Sequence, residues 1–271
     1  MVKEKMKKKE MYPIRKTNYE EIMNKKLKEF YIIIHVVTVE LLMGEGNILE
    51  KSKIYMLYGI DIFGRKDIIG LYKENKDNGR YWLDEVEKIK ARGLRKVLYV
   101  STEKNKRLEQ SFKMLYNPIM KISINEEVER IAKYTQYRWK AAGEQELVRA
   151  YLSETAEEYK EKINELKEKY KENQIGKILI EAFDKEILKE MQEPIEIRHL
   201  ICSYSTKRKL KQIITRVEKE YVEIKDINDL FEKKKEEFSI FEKTRLYSKE
   251  KWTKVLNEIY KEKYEEIKEY I

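Results

Sequence analysis

The chain is predicted to be an α/β protein with helices packed on a sheet. Three observations lead there. Residues Lys53 to Val100 read as strand, turn, strand, loop, helix, strand. The run Tyr31–Val39 (YIIIHVVTV) is apolar at consecutive positions, which suits a central strand covered on both faces. Beyond Glu126 the apolar spacing lengthens to that of helices, and it stays so to the C-terminus apart from a short extended piece after Pro194.

Each element has a local cause. Ile54 to Tyr58 with Ile60 form an apolar run rich in β-favouring residues. Asp61-Ile62-Phe63-Gly64-Arg65 is a short turn with glycine where a positive φ is expected, and Asp67–Tyr72 is the return strand. Trp82, Leu83, Val86 and Ile89 recur at helical spacing, and Gly93 closes that helix. Leu94–Val100 is a further buried strand, and Ile119–Ile124 a short one. This order has the layout of a nuclease-like fold.

Four parts follow along the chain: a basic tail and short helix (1–28), the first part of the α/β core (29–125), a helical insertion (126–194), and a C-terminal helical part completing the core (195–271). Val128, Ile131, Ala132, Tyr134 and Trp139 mark one helix of the insertion. The charge-alternating stretch Leu147–Tyr170 predicts a long helical hairpin or coiled-coil arm. Ile178 to Leu188 supply another apolar face, which Pro194 ends. Ile195–Cys202 reads as extended, followed by a helix from about Ser205 and a charged helical segment from Leu230 on.

A net charge of +9 favours polyanionic partners, although both signs are abundant and much of the charge is solvated helix surface. The single Cys202 excludes a disulfide framework and suits a reducing, cytoplasmic setting. No apolar run reaches the roughly 18–20 residues of a membrane span, and the lysine-rich start lacks the apolar segment of a signal peptide. Nucleotide-binding glycine loops, paired CxxC motifs and HExxH are absent.

The segments GIDIFGRKDIIGLY and YWLDEVEKIKARGLRKVLYV resemble the catalytic domain of mutator-type insertion-sequence transposases. Lys133-Tyr134, a helical insertion, IEIRHLI (195–201), a further helix and KWTKVLNEIY (251–260) follow in the same order. The resemblance implies an RNase H-like fold carrying a helical insertion. It also implies three acidic residues binding two divalent metal ions, which clamp the attacking and leaving oxygens of a phosphodiester. The corresponding positions here are His35, Glu103 and Arg208. A Cys-x-x-His of the family reads Ser123-Ile-Asn-Glu126, and little of the family's N-terminal DNA-binding portion is expected in the 28 residues before the core.

Only Glu103 of the three is acidic. Histidine is a poor magnesium ligand, and an arginine opposes cation binding. Glu40 lies five residues from His35, on the opposite side of a regular strand. The expectation is therefore a transposase-related pseudoenzyme without a metal site or cofactor, binding DNA or a transposase partner, with a homo-oligomer also open. Magnesium enters only under the alternative of an active strand-transfer enzyme with rearranged acids. A folded remnant without function is the third reading. His35 reads as a core histidine. Glu103 and Arg208 form an ion pair across the former metal site, or are two unrelated surface charges. Lys207, Arg208, Lys209, Lys211 and Arg216 are the candidate phosphate-binding group, with a solvated helix face as the plainer reading. The lysines between Lys3 and Lys9 are either a DNA-contacting arm or a soluble tail. Trp82, Trp139 and Trp252 read as core or interface anchors.

Overall fold

A computed structural model of the chain describes residues 18–45, 48–75, 78–134, 140–220 and 223–270. The lysine-rich start and Trp139 lie outside the described residues. Five strands, β1 (Phe30–Glu45), β2 (Ile48–Ile60), β3 (Lys66–Lys73), β4 (Lys96–Thr102) and β5 (Ile119–Ile122), form one mixed sheet in the order β3-β2-β1-β4-β5. Strands β1, β2 and β3 are antiparallel, whereas β4 runs parallel to both β1 and β5.

Strand β1 occupies the centre, as its apolar run requires. Every residue from Phe30 to Val39 is buried. One face of the sheet packs on α2 (Tyr81–Ala91) and α3 (Lys106–Tyr116), through Ile34, Val36, Tyr55, Val86 and Phe112. The other face packs on α8 (Ile195–Cys202), α9 (Tyr204–Thr215), α11 (Ile227–Lys243) and α12 (Lys249–Ile267), through Ile33, Val37, Tyr58, Leu210 and Phe241. Each such fully buried side chain contributes about 1.5–3 kcal/mol relative to exposure. The short α1 (Tyr19–Asn24) is capped by Asn18 and packs near β3; α10 (Val217–Glu220) follows α9.

Helices α4 (Ile124–Tyr134), α5 (Lys140–Tyr151), α6 (Ala156–Lys169) and α7 (Gln174–Glu190) share a separate apolar core of Val128, Ile131, Tyr151, Ile163 and Phe183. Of the anticipated hairpin or coiled-coil arm across Leu147–Tyr170, the structure has the hairpin: α5 and α6 pack on each other across a turn after Tyr151, and α6 starts where the Thr155 hydroxyl accepts from the Glu158 N–H. Cys202 of α8 and Tyr204 of α9 join this core, and polar contacts add to the tie. Arg198, only 2% exposed, donates to the carbonyls of Tyr151, Ser153 and Glu193. Lys121 pairs with Glu190 and Glu193.

Two element readings change. The piece Ile195–Cys202, expected to be extended, is helix α8. Ile197, Leu200 and Ile201 stand at i, i+3 and i+4, and Pro194 precedes the first turn, where its fixed φ suits a helix start. The short strand expected over Ile119–Ile124 stops at Ile122, because Ser123 turns the chain and Ile124 opens α4. The glycine stop after α2 and the two described tryptophans are as anticipated, while helix α3 was not foreseen and β1 and β2 run longer than expected. Gly93 has φ +107 beyond α2, and the guanidinium of Arg92 beside it donates to the carbonyls of Ile22, Lys25 and Ile69. Trp82 and Trp252 are both buried.

Gly64, in the β2–β3 turn, adopts φ +71, and a Cβ there would lie 2.7 Å from the Trp252 ring. Gly64→Ala combines left-handed strain with this clash, so it is expected to lower the unfolding free energy by about 1–3 kcal/mol. Urea titration checks this, and an unchanged midpoint would refute it.

Candidate functional site

The site is built where β1 and β4 run side by side. Parallel pairing sets His35 beside Ser101, and antiparallel pairing sets it beside Tyr58, whose ring centroid is 5.0 Å away. The imidazole is fully buried, and neither ring nitrogen has a hydrogen-bond partner of ordinary geometry among the described residues. Burial first, then the Lys207 ammonium, hold its pKa well below the usual histidine value; only a loose approach to the Leu200 backbone opposes them. His35 is therefore a neutral core group at pH 7.

Glu103 follows the last residue of β4, and its carboxylate is taken by Lys53 of β2. Arg208 lies on the exposed outer face of α9, with its guanidinium 6.0 Å from the centre of the Tyr204 ring. The ion pair envisaged between Glu103 and Arg208 is thus replaced by Glu103–Lys53. The α9 side chain that reaches the sheet is the preceding residue, Lys207. It is 0% exposed, and its amine donates to Ser101 Oγ at 3.0 Å, Ser123 Oγ at 3.2 Å and the Ile201 carbonyl at 3.2 Å. No carboxylate lies within ion-pair distance of it among the described residues. Burial pushes its pKa down to about 8.

Lys207 looked like one of a basic run on an open helix face. Its position three residues before Leu210 and seven before Ile214 puts it on the buried face, a signal that the dense charge around it obscured. Lys211 also leaves the phosphate-binding group, since it bridges Glu126 at 2.8 Å and Glu129 at 2.7 Å on α4. Arg208, Lys209 and Arg216 remain exposed on one side of α9.

Next to Glu103 a cleft of about 800 Å³ opens between the sheet and α4, lined by Lys53, Glu103, Lys104, Glu126, Glu127 and Glu129 among others. Every one of these carboxylates has a cationic partner. Lys53 takes Glu103, Lys211 takes Glu126 and Glu129, and Arg130 takes Glu127 at 2.6 Å with Lys104 at 3.8 Å. Burial raises the pKa of Glu126, and Lys211 works against that rise. Among the described residues no group of three His, Cys, Asp or Glu is placed to hold a metal ion. The groups around His35 are the Ser101 and Ser123 hydroxyls and the Lys207 ammonium, with Glu103 beyond β4 already held by Lys53, and the ammonium repels a divalent cation. These residues do not fit the two-metal centre that the family resemblance implies.

A family model described as "Transposase, Mutator family" matches residues 10–226. The chain belongs to the mutator transposase family. A probable transposase for an insertion sequence element from Corynebacterium diphtheriae is 26% identical over 95 residues. That match covers 34% of this chain and 28% of the relative, so it spans well under half of either protein. Among the described residues of this mutator-family chain, no helix is long and apolar enough to cross a membrane.

The depressed Lys207 pKa has a definite sign for stability. Below about pH 8 the amine is charged in both folded and unfolded chains, so the cost of burying it is fully present. Between about 8 and the ordinary 10.5 the unfolded chain binds the extra proton, so stability rises with pH. Lys207→Met is expected to flatten part of the rise between about pH 8 and 9.5, a difference on the order of 1–2 kcal/mol. Lys66, also lowered to about 8 by burial, keeps its own share. Urea midpoints measured across that range test this, and equal slopes in the two proteins would overturn the assignment.

Proposed function

We propose that this chain has an RNase H-like core and is a transposase-related protein that binds DNA without carrying out strand transfer. The observation that carries the loss of chemistry is the buried Lys207 amine beside His35 and Ser101, where the resemblance implies metal-binding acids. The RNase H-like reading is supported by the strand order, with three antiparallel strands followed by two parallel ones and the helices α4–α7 set between β5 and α8. DNA binding is supported by family membership and by the outer face of α9, where Arg208, Lys209 and Arg216 stand exposed and outside any ion pair found among the described residues.

Phosphate contacts of this kind are salt-dependent, because each one releases condensed counterions. Fluorescence anisotropy on a duplex should show binding at about 50 mM salt that weakens by at least about tenfold at 200 mM. Arg208→Gln, Lys209→Gln and Arg216→Gln together should flatten the slope of log K against log salt by about 2–3. No binding at the lower salt would reject the reading and leave a transposase partner or a second copy as the ligand to seek.

The alternative, an active enzyme with rearranged acids, draws on Glu103, Glu126, Glu127 and Glu129 in the cleft. Their pairing with Lys53, Lys104, Arg130 and Lys211 weighs against it. Isothermal titration with magnesium or manganese is expected to give no heat of binding. Saturable binding near micromolar concentration, abolished by Glu103→Gln, would restore the enzymatic reading.

A further inference from the structure

The β2–β3 turn presents a like-charge pair that the fold leaves uncompensated. Its backbone is held rigidly. Asp61 accepts from the N–H groups of Phe63 at 2.9 Å and Arg65 at 2.8 Å, and the Trp252 indole donates to the Ile62 carbonyl at 2.9 Å. The Leu246 N–H donates to the Gly64 carbonyl, and Arg65 forms an isolated antiparallel bridge with Arg245. Residues directly opposite across such a bridge project to the same side, with Cβ atoms roughly 4.5–5.5 Å apart, and like charges placed so are destabilising. Both arginines are exposed, and neither has a carboxylate within ion-pair distance among the described residues.

The nearby acids are mostly committed elsewhere. Asp61 holds Lys28, Glu29 approaches Arg95 at 3.6 Å, and Glu269 lines the adjoining cleft of about 500 Å³ without pairing with Arg65. The Arg65 guanidinium lies over the ring of Phe63, which is 59% exposed. On the other side of Arg65, the Lys66 amine sits 4.4 Å over the Phe241 ring, and the charge of Lys209 adds to burial in lowering its pKa. Lys209 on α9 is thus near enough to Lys66, at the start of β3, for their like charges to interact.

We propose that Arg65 and Arg245 form a phosphate clamp that takes a phosphodiester of duplex DNA, extending the α9 surface onto the β2–β3 turn. Two arginines that a backbone bridge sets directly opposite each other suit a phosphate, which each can meet through paired N–H donors, and the anion removes the repulsion between them. The exposed Phe63 ring beside them offers an apolar contact for the adjoining sugar. The inference rests on the DNA-binding reading for its ligand, and on the arginine geometry alone for its preference for phosphate.

Two measurements on the full chain separate these. In the anisotropy assay, Arg65→Gln with Arg245→Gln should weaken duplex binding at least about fivefold and lower the salt slope by about 2, with Arg208, Lys209 and Arg216 intact. An unchanged slope overturns the clamp as a DNA contact. In thermal melting without DNA, sodium phosphate should raise the midpoint of the natural protein more than sodium chloride at equal ionic strength, and the double variant should lose the difference. If phosphate and chloride act equally on the natural protein, the clamp itself is overturned. A phosphate-specific rise in a protein that does not bind duplex at low salt keeps the clamp and rejects the DNA reading. Arg245→Gln alone, which removes one of two repelling charges, should fold at least as stably as the natural chain in low salt; a fall in its melting midpoint would show that the pair is not repulsive and overturn the argument.

Discussion

Strand β1 is covered by helices on both faces, and its first ten residues are all buried. Any group that β1 and its parallel neighbour β4 present there must be neutral, hydrogen-bonded or matched by opposite charge. The family resemblance implies carboxylates around divalent cations at this point. Here the same space holds an uncharged imidazole, two serine hydroxyls and a lysine amine. Lys207 is carried by α9, so the positive charge beside His35 and Ser101 belongs to the protein itself. Its three neutral acceptors satisfy the N–H donors but leave the charge unpaired, which is why burial depresses its pKa.

The electrostatics around this core follow from that arrangement. Glu103, Glu126, Glu127 and Glu129 still gather at the mouth of the cleft, but each is tied to a lysine or arginine. The pairs also serve as joints. Lys211 connects α9 to the first turns of α4, Lys104 reaches Glu186 on α7, and Lys121 on β5 reaches Glu190 and Glu193. The helices α4–α7 have their own apolar core, which Cys202 and Tyr204 join, and these polar contacts with the Arg198 hydrogen bonds add to what holds them on the sheet. Half-buried pairs of this kind contribute modestly to stability while defining geometry.

What was legible in the sequence was mostly local. The β2–β3 hairpin with Gly64, the α2 helix ended by Gly93 and the central position of β1 each follow from a pattern within about ten residues. Reading failed where two periodicities compete. Ile195–Cys202 looks like a strand because its apolar residues are dense, yet its 197, 200, 201 spacing is helical and α12 covers it. The candidate site was half legible. His35 was recognisable as a buried strand residue, but the partner of Glu103 was not. Lys53 stands fifty residues away along the chain and meets it only because β2 and β4 flank β1.

By itself the sequence determined the family pattern, the identities at His35, Glu103 and Arg208, and the excess of positive charge, since these are properties of residue type and order. Tertiary structure alone decided which cation faces the strands. A helix turns by about 100° per residue, so Lys207 and Arg208 differ by one position yet point to opposite environments. Burial against Ser101 and Ser123 gives Lys207 to the core, and exposure leaves Arg208 with Lys209 and Arg216 on the surface. The facing of Arg65 and Arg245 is likewise a product of the fold, because only the docking of α12 and the segment before it on the β2–β3 turn brings two such distant charges together.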